Sequence, residues 1–116
     1  MPDWIDTQIS VAGDKTTLNE FSSKVKTSET ALSLNTLVPM DEKLLEGRGW
    51  HAWRTEHWGT KWDVKADVYG DEDTLIYTFR SAGCPPIEWV EHVAPLWPTL
   101  QFTLDYEQVE VITHHF

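Results

Sequence analysis

Four stretches of the chain alternate apolar and polar residues over the length of a strand. They cover residues 5–11, 62–68, 75–80 and 100–107. Successive side chains of a strand point to opposite sides, so this alternation predicts strands with one buried face and one face in water. The turn residues 70–73 lie between the second and third stretches and predict a β-hairpin.

After the first strand, the apolar residues are spaced as on one face of a helix. A short amphipathic helix is predicted here, because apolar residues recur three and four positions apart. Asp14 and Thr17 are both candidates for its N-cap, since either side chain can accept a hydrogen bond from a free amide of the first turn. The apolar stripe consists of Leu18, Phe21 and Val25.

A second helix is predicted after the Pro85-Pro86 pair. Proline is well tolerated at a helix start, where its missing amide hydrogen has no intrahelical partner. Pro95 disrupts a helix interior, so we expect a kink or an end near residue 94. The apolar stripe consists of Ile87, Val90, Ala94 and Trp97.

The middle of the chain is less regular. Leu32, Leu34 and Thr36 alternate with polar residues and predict a further strand that ends before Pro39. Within a Trp-rich insertion at about residues 39–61, residues 41–46 predict a helical turn ended by Gly47.

The order of these elements predicts an α+β fold. Strand, helix, strand, insertion, hairpin, helix and strand follow one another, which is the split βαβ plan of a ferredoxin-like domain. We expect an antiparallel sheet of four to five strands with two helices on one face. With 116 residues the chain fits one such domain over residues 1–116.

The net negative charge of the chain disfavours binding partners that are themselves negatively charged. The formal charge is −10, and residues 63–116 contain ten acidic residues against two bases, Lys65 and Arg80. Duplex nucleic acid and anionic membranes would be repelled by such a surface. An acidic surface attracts a basic protein partner, although acidic charge can also serve solubility alone.

Acidic residues of the hairpin and of the last strand are the first candidate site. If the two elements share one sheet, their polar positions assemble an acidic face on the side away from the helices. Such a face could occupy a basic groove that normally holds nucleic acid, or it could be only the wet side of the sheet. The residues are Asp63, Asp67, Asp71, Glu72, Asp73, Asp105 and Glu107.

Tryptophans with cationic neighbours form the alternative candidate site. Aromatic rings beside a cation could stack a nucleotide, a single strand or a peptide side chain. We favour the other interpretation, in which the large rings bury the irregular insertion against the sheet. The residues are Trp50, Trp53, Trp58, Lys61 and Trp62.

Enzymatic and metal chemistry have little support in the sequence. The pairs His51 with His57 and His114 with His115 lack the spacing of a metal site, and no cofactor is indicated. Cys84 has no local nucleophile signature, and a single cysteine fits a reducing compartment. No apolar run approaches the length of a membrane helix. We expect a cytoplasmic, non-enzymatic protein, and the sequence leaves its oligomeric state open.

Five segments spread over the chain form a recognisable set: Met1-Pro2-Asp3-Trp4, Leu37-Val38-Pro39-Met40, Trp58-Gly59-Thr60-Lys61-Trp62-Asp63, Tyr77-Thr78-Phe79 with Pro85-Pro86, and Phe102-Thr103-Leu104-Asp105-Tyr106-Glu107. Together they resemble the YubB-like family of small phage and plasmid proteins. The resemblance implies a ferredoxin-like domain and an origin in a mobile element, but no catalytic residue. Inside a bacterial host cell, we therefore expect an acidic interaction module that inhibits a host defence or nucleic-acid-binding protein.

Overall fold

The computed structural model describes residues 4–47, 49–107 and 110–116, which form both strands and helices. Met1-Pro2-Asp3 of the opening motif therefore lies outside the described residues. Short 3-10 helices cover Glu42–Glu46 and Ala94–Leu96. The other elements are β1 Trp4–Ala12, α1 Lys15–Val25, α2 Leu34–Leu37, α3 Gly49–His57, β2 Asp67–Gly70, β3 Thr74–Ala82, α4 Ile87–Val93, β4 Gln101–Glu107 and β5 Val111–His115.

One antiparallel sheet with the strand order β2-β3-β1-β4-β5 organises the fold. β1 is central, and its Ile9 lies between Tyr77 of β3 and Leu104 of β4. The prediction of an α+β fold with four to five antiparallel strands is confirmed, and the strand order is compatible with a ferredoxin-like plan.

Helices cover one face of this sheet because their apolar stripes match its buried positions. Leu18, Phe21 and Val25 of α1 are buried, as the helical spacing predicted. The ring of Phe21 meets Tyr77 and Phe102 edge-on, with centroids 6.1 and 5.5 Å apart. This edge-to-face geometry is the favoured one for aromatic pairs, and it joins α1 to strands β3 and β4.

The start of α1 shows which of the two candidate residues forms the cap. Asp14 accepts hydrogen bonds from the backbone amide and the hydroxyl of Thr17, at 3.0 and 2.7 Å. These two bonds favour the charged carboxylate and lower the pKa of Asp14. Asp14 is therefore the N-cap, and Thr17 is its donor.

The strand predicted at Leu32, Leu34 and Thr36 is wrong. The segment forms helix α2, because Leu34 and Leu37 are also three residues apart and so fit a helical face. A carboxylate from a distant loop, Asp63, accepts from the Leu34 amide at 2.7 Å. It supplies an acceptor for the helix start that the local sequence lacks.

The hairpin begins later than the alternation from Trp62 predicts, with β2 starting at Asp67. Val64 and Ala66 are buried, but the backbone of Ala66 bonds elsewhere. Its carbonyl accepts from Ala31, and its amide donates to the Thr30 hydroxyl at 2.7 Å. Ala66 therefore pairs with Thr30 and Ala31, just before α2, and not with β3.

The insertion at about residues 39–61 contains more helix than predicted. The helical turn at 41–46 is confirmed as the 3-10 helix that ends at Gly47. Helix α3 was not predicted, because its tryptophans are only partly buried and lie among charged residues.

Near the end of the chain, α4 changes into a 3-10 helix at Ala94, which confirms the end expected before Pro95. β5 then adds an edge strand beside β4. Its adjacent histidines point to opposite faces, as neighbours on a strand do. His114 stacks on Tyr106 with ring centroids 5.7 Å apart.

Tyr77 gives the core a pH-sensitive group. Its side chain is fully buried, and its hydroxyl completes no hydrogen bond among the described residues. Burial raises the pKa of Tyr77, and the nearby Ser22 hydroxyl opposes this only in part. The contribution of the neutral phenol to the free energy of unfolding is fully present below the ordinary pKa of tyrosine. It is lost as the pH rises through the higher pKa of Tyr77 in the folded protein.

We expect Tyr77→Phe to move the midpoint of alkaline unfolding to higher pH, because the phenylalanine core contains no phenol to ionise. Far-ultraviolet circular dichroism against pH measures this midpoint. Tyr69→Phe is the matched control, since Tyr69 is exposed and should leave the midpoint unchanged. Equal midpoints for the wild type and Tyr77→Phe would contradict the expectation.

Candidate functional site

The side of the sheet that carries no helix is called the open face. Residues directly opposite each other on neighbouring strands share a face, so the register identifies its side chains. One row runs across all five strands, and a second row runs beside it nearer the start of β1. The rows are Asp67-Thr78-Gln8-Asp105-Thr113 and Arg80-Asp6-Glu107-Val111.

Three predicted acidic residues share the open face. Asp67 and Asp105 are separated by two intervening strands, which corresponds to roughly 14 Å. Glu107 is two residues beyond Asp105, about 7 Å further along β4. The Asp105 carboxylate accepts a hydrogen bond from the Thr113 hydroxyl at 2.5 Å, whereas no side-chain hydrogen bond or ion pair within the described residues engages the carboxylates of Asp67 and Glu107.

A like-charge pair lies at one end of the open face. Asp6 of β1 is directly opposite Glu107 of β4, and like charges in this position repel each other. Arg80 of β3 places its Nε 3.3 Å from Asp6 Oδ1, but both side chains are largely exposed. One exposed guanidinium therefore compensates only part of the negative charge at this end.

A groove lies on the open face. This groove has a volume of about 1120 Å³, and it extends to the loop before β2. Five carboxylates and two basic side chains line it together with exposed apolar surface. The charged residues are Asp6, Asp63, Lys65, Asp67, Arg80, Asp105 and Glu107.

Asp63 lines the groove, but its carboxylate has a structural role. Besides the Leu34 amide, it accepts from the Ser33 hydroxyl at 2.5 Å and from the Val64 amide at 2.8 Å. Both carboxylate oxygens are therefore engaged in holding α2 against the loop that precedes β2.

The predicted acidic residues at the hairpin tip lie at the opposite end of the sheet from Glu107. Asp71 accepts from the amides of Asp73 and Thr74, at 3.0 and 3.1 Å, which orders the turn. Glu72 lies 3.8 Å from the ammonium group of Lys15. The structure thus separates Asp71, Glu72 and Asp73 from the acidic residues of the open face.

Most of the alternative aromatic site is used in packing. Trp58 is 1% exposed, and its indole donates to the Val38 carbonyl at 2.8 Å. The Arg54 guanidinium lies 5.1 Å from the ring centroids of both Trp50 and Trp58. Trp53 meets Trp58 edge-on at 5.7 Å. These partly or fully buried rings bind the insertion together by contacts with one another.

Trp62 behaves differently from the other tryptophans of the insertion. It is 39% exposed, and its ring centroid lies 5.8 Å from that of Trp4 at the end of the open face. Lys61 places its ammonium group 5.3 Å from the same ring. Lys61 and Trp62 therefore belong to the surroundings of the groove and not to the buried ring cluster.

Trp4, Asp6 and Arg80 are the residues of this face that the sequence reasoning missed. The signal was present for all three, because each occupies a solvent-facing position of an alternating strand. Trp4 and Asp6 are an even number of positions from Gln8 on β1, and Arg80 is two positions from Thr78 on β3, so all of these side chains point to the same face. The strand order that brings β1 beside β4, and hence Asp6 beside Glu107, was the missing information.

Comparisons with protein families, curated proteins and solved structures found no match for this chain. Within residues 4–47, 49–107 and 110–116, no group of three or more His, Cys, Asp or Glu side chains is placed to hold a metal ion. None of the helices that the structure describes has both the length and the apolar composition needed to cross a bilayer.

Proposed function

We propose that this chain is a non-enzymatic, acidic protein-interaction module of ferredoxin-like fold, and that its open face binds a basic surface of another protein. The observation that carries the proposal is the register of the sheet. It collects Asp6, Asp67, Asp105 and Glu107 on one helix-free face, whose groove is also lined by two basic side chains, Lys65 and Arg80.

Electrostatics support a basic partner. Lysine and arginine residues facing the groove would be attracted by several carboxylates at once, and the repulsion between Asp6 and Glu107 would be relieved. Long-range attraction would also accelerate association at low ionic strength. The negative charge of the open face thereby imitates that of nucleic acid, and the partner is a protein whose basic groove normally binds nucleic acid.

The resemblance to phage and plasmid proteins supports the setting of this interaction. We place the chain in a mobile element and its partner in the cytoplasm of the bacterial host, as a defence protein or a nucleic-acid-binding protein. Blocking a basic groove needs no catalytic group, only an acidic surface of suitable shape.

Binding of nucleotides or single strands by the tryptophans is less well supported. Trp58 is buried and Trp50 is covered by Arg54, so stacking would depend on Trp62 with Lys61. Asp6 and Glu107 on the adjacent open face would repel a phosphate backbone.

Affinity capture with two matched charge variants tests the proposal. Asp67→Lys with Glu107→Lys reverses charge on the open face, and Glu72→Lys with Asp73→Lys makes the same change in charge at the hairpin tip. Immobilised variants are incubated with bacterial lysate over a salt series, and retained proteins are quantified by mass spectrometry. Circular dichroism verifies that both variants fold.

We expect the wild type and the hairpin-tip variant to retain the same basic protein, with retention falling as salt rises. The open-face variant should lose at least about ninety per cent of it, which corresponds to a tenfold change in affinity. Equal retention by both variants, or retention that is insensitive to salt, would overturn the proposal. Retention of an oligonucleotide in place of a protein would favour the tryptophan alternative.

A further inference from the structure

Two exposed indoles stand at the end of the open face. Trp4 is 52% exposed and Trp62 is 39% exposed, although they contact each other at an angle of 44° between the ring planes. Tryptophan is enriched where proteins bind one another, and rings of this size are otherwise favoured in the core. The pair is therefore available for contact with a partner side chain.

Carboxylates lie next to these rings on the same face. Asp6 follows Trp4 by two residues on β1, so both side chains point into the groove. Glu107 is opposite Asp6, and no ion pair within the described part of the chain engages it. Aromatic surface and uncompensated negative charge thus meet at one end of the groove.

The same end already binds cationic side chains of its own chain. Arg80 contacts Asp6 through Nε at 3.3 Å, and Lys61 lies over the Trp62 ring. These two contacts show that the Asp6 carboxylate accepts a guanidinium and that the Trp62 ring accepts a cation.

Arginine fits this combination better than lysine does. Its planar guanidinium stacks on an aromatic ring and can donate two parallel hydrogen bonds to a carboxylate at the same time. Lysine offers a compact, strongly hydrated charge that does not stack. The groove, at about 1120 Å³, exceeds the volume of a single side chain and can receive an extended segment around the arginine.

We propose that the partner presents an arginine from an extended basic segment to this end of the groove, an inference that rests on the proposed function. Its guanidinium stacks against Trp4 and Trp62 and hydrogen-bonds to Glu107 and Asp6. The remaining basic residues of the segment follow the open face towards Asp105 and Asp67.

Two synthetic peptides of about ten residues test this specificity. Each carries arginine or lysine at the same three positions among glycines and serines. An extended peptide of this length spans roughly 33 Å. The intermediate dimension of the protein is 34 Å, so such a peptide is long enough to follow the open face. Dissociation constants are measured by isothermal titration calorimetry at low salt with the whole chain, and tryptophan emission is recorded in parallel.

We expect the arginine peptide to bind about tenfold more tightly than the lysine peptide and to change the tryptophan emission. Trp62→Ala should remove this preference, because it should weaken the arginine peptide more than the lysine peptide. Tyr69→Ala is the matched control, because Tyr69 is an exposed aromatic residue further along the open face and should leave the preference intact. Glu107→Gln should weaken both peptides.

The outcomes separate this inference from the proposed function. Equal affinity for the two peptides, with both weakened by Glu107→Gln, would overturn the arginine site and leave the acidic interaction module standing. A preference for arginine that survives both Trp62→Ala and Trp4→Ala would also overturn it. Failure of both peptides to bind would overturn the arginine site, and the capture experiment would then decide the proposed function separately.

Discussion

Replacing Trp58 by alanine is expected to lower the free energy of unfolding by about 3–5 kcal/mol. The indole is almost completely buried, so the substitution leaves a large cavity between the insertion and α4. It also leaves the Val38 carbonyl without its indole donor and removes one of the two rings against which Arg54 packs. The loss should appear as a lower midpoint in urea denaturation.

Trp62→Ala is the control for this prediction, because it removes the same side chain from an exposed position. We expect its effect on the free energy of unfolding to be below about 1 kcal/mol. Similar losses for both variants would contradict the assignment of Trp58 to the core and of Trp62 to the surface.

Replacing Asp63 by alanine is expected to lower the free energy of unfolding by about 2 kcal/mol, because hydrogen bonds to charged groups are among the stronger ones. The change removes the acceptor for the Leu34 and Val64 amides and for the Ser33 hydroxyl. Helix α2 would then lose the contact that holds its first turn to the loop before β2. Urea denaturation measures the change.

Asp67→Ala is the matched control. Asp67 has the same charge and lines the same groove, but its carboxylate makes no hydrogen bond or ion pair among the described residues. We expect its free energy of unfolding to stay within about 0.5 kcal/mol of the wild type. If Asp63→Ala were as stable as Asp67→Ala, the assignment of a structural role to the Asp63 carboxylate would be contradicted.

The strands that form the middle of the sheet could be predicted from alternation alone. β1, β3 and β4 each have one face in the core and the other in water, so their hydrophobic pattern has a period of two. The α1 stripe was equally clear. For α4, proline chemistry predicted the end of the regular helix before Pro95.

Helices α2 and α3 could not be predicted, because each depends on contacts with distant residues. α2 has four residues and receives its acceptor from Asp63, about thirty positions away. In α3, Arg54 between Trp50 and Trp58 replaces an ordinary apolar stripe by stacked rings and a cation. Local periodicity shows neither the Asp63 contact nor the stacking of Arg54 on the two rings.

For the candidate site, the alternation of side chains along the strands predicted that Asp67, Asp105 and Glu107 lie on a common face. It did not separate them from Asp63, because a carboxylate used as a cap has the same sequence signature as a free one. The tip residues Asp71, Glu72 and Asp73 were grouped with them because the sequence does not show at which end of the sheet a turn lies.

The central position of β1 has a consequence for how the chain folds. Ile9 lies between Tyr77 and Leu104, so neither neighbour of β1 has been synthesised when β1 leaves the ribosome. Loop closure over such sequence separations is slow, whereas α1 can form locally within microseconds. The two open edges of β1 therefore stay unpaired until β3 and then β4 emerge, and unpaired strand edges are the parts of a nascent chain that are most exposed to aggregation.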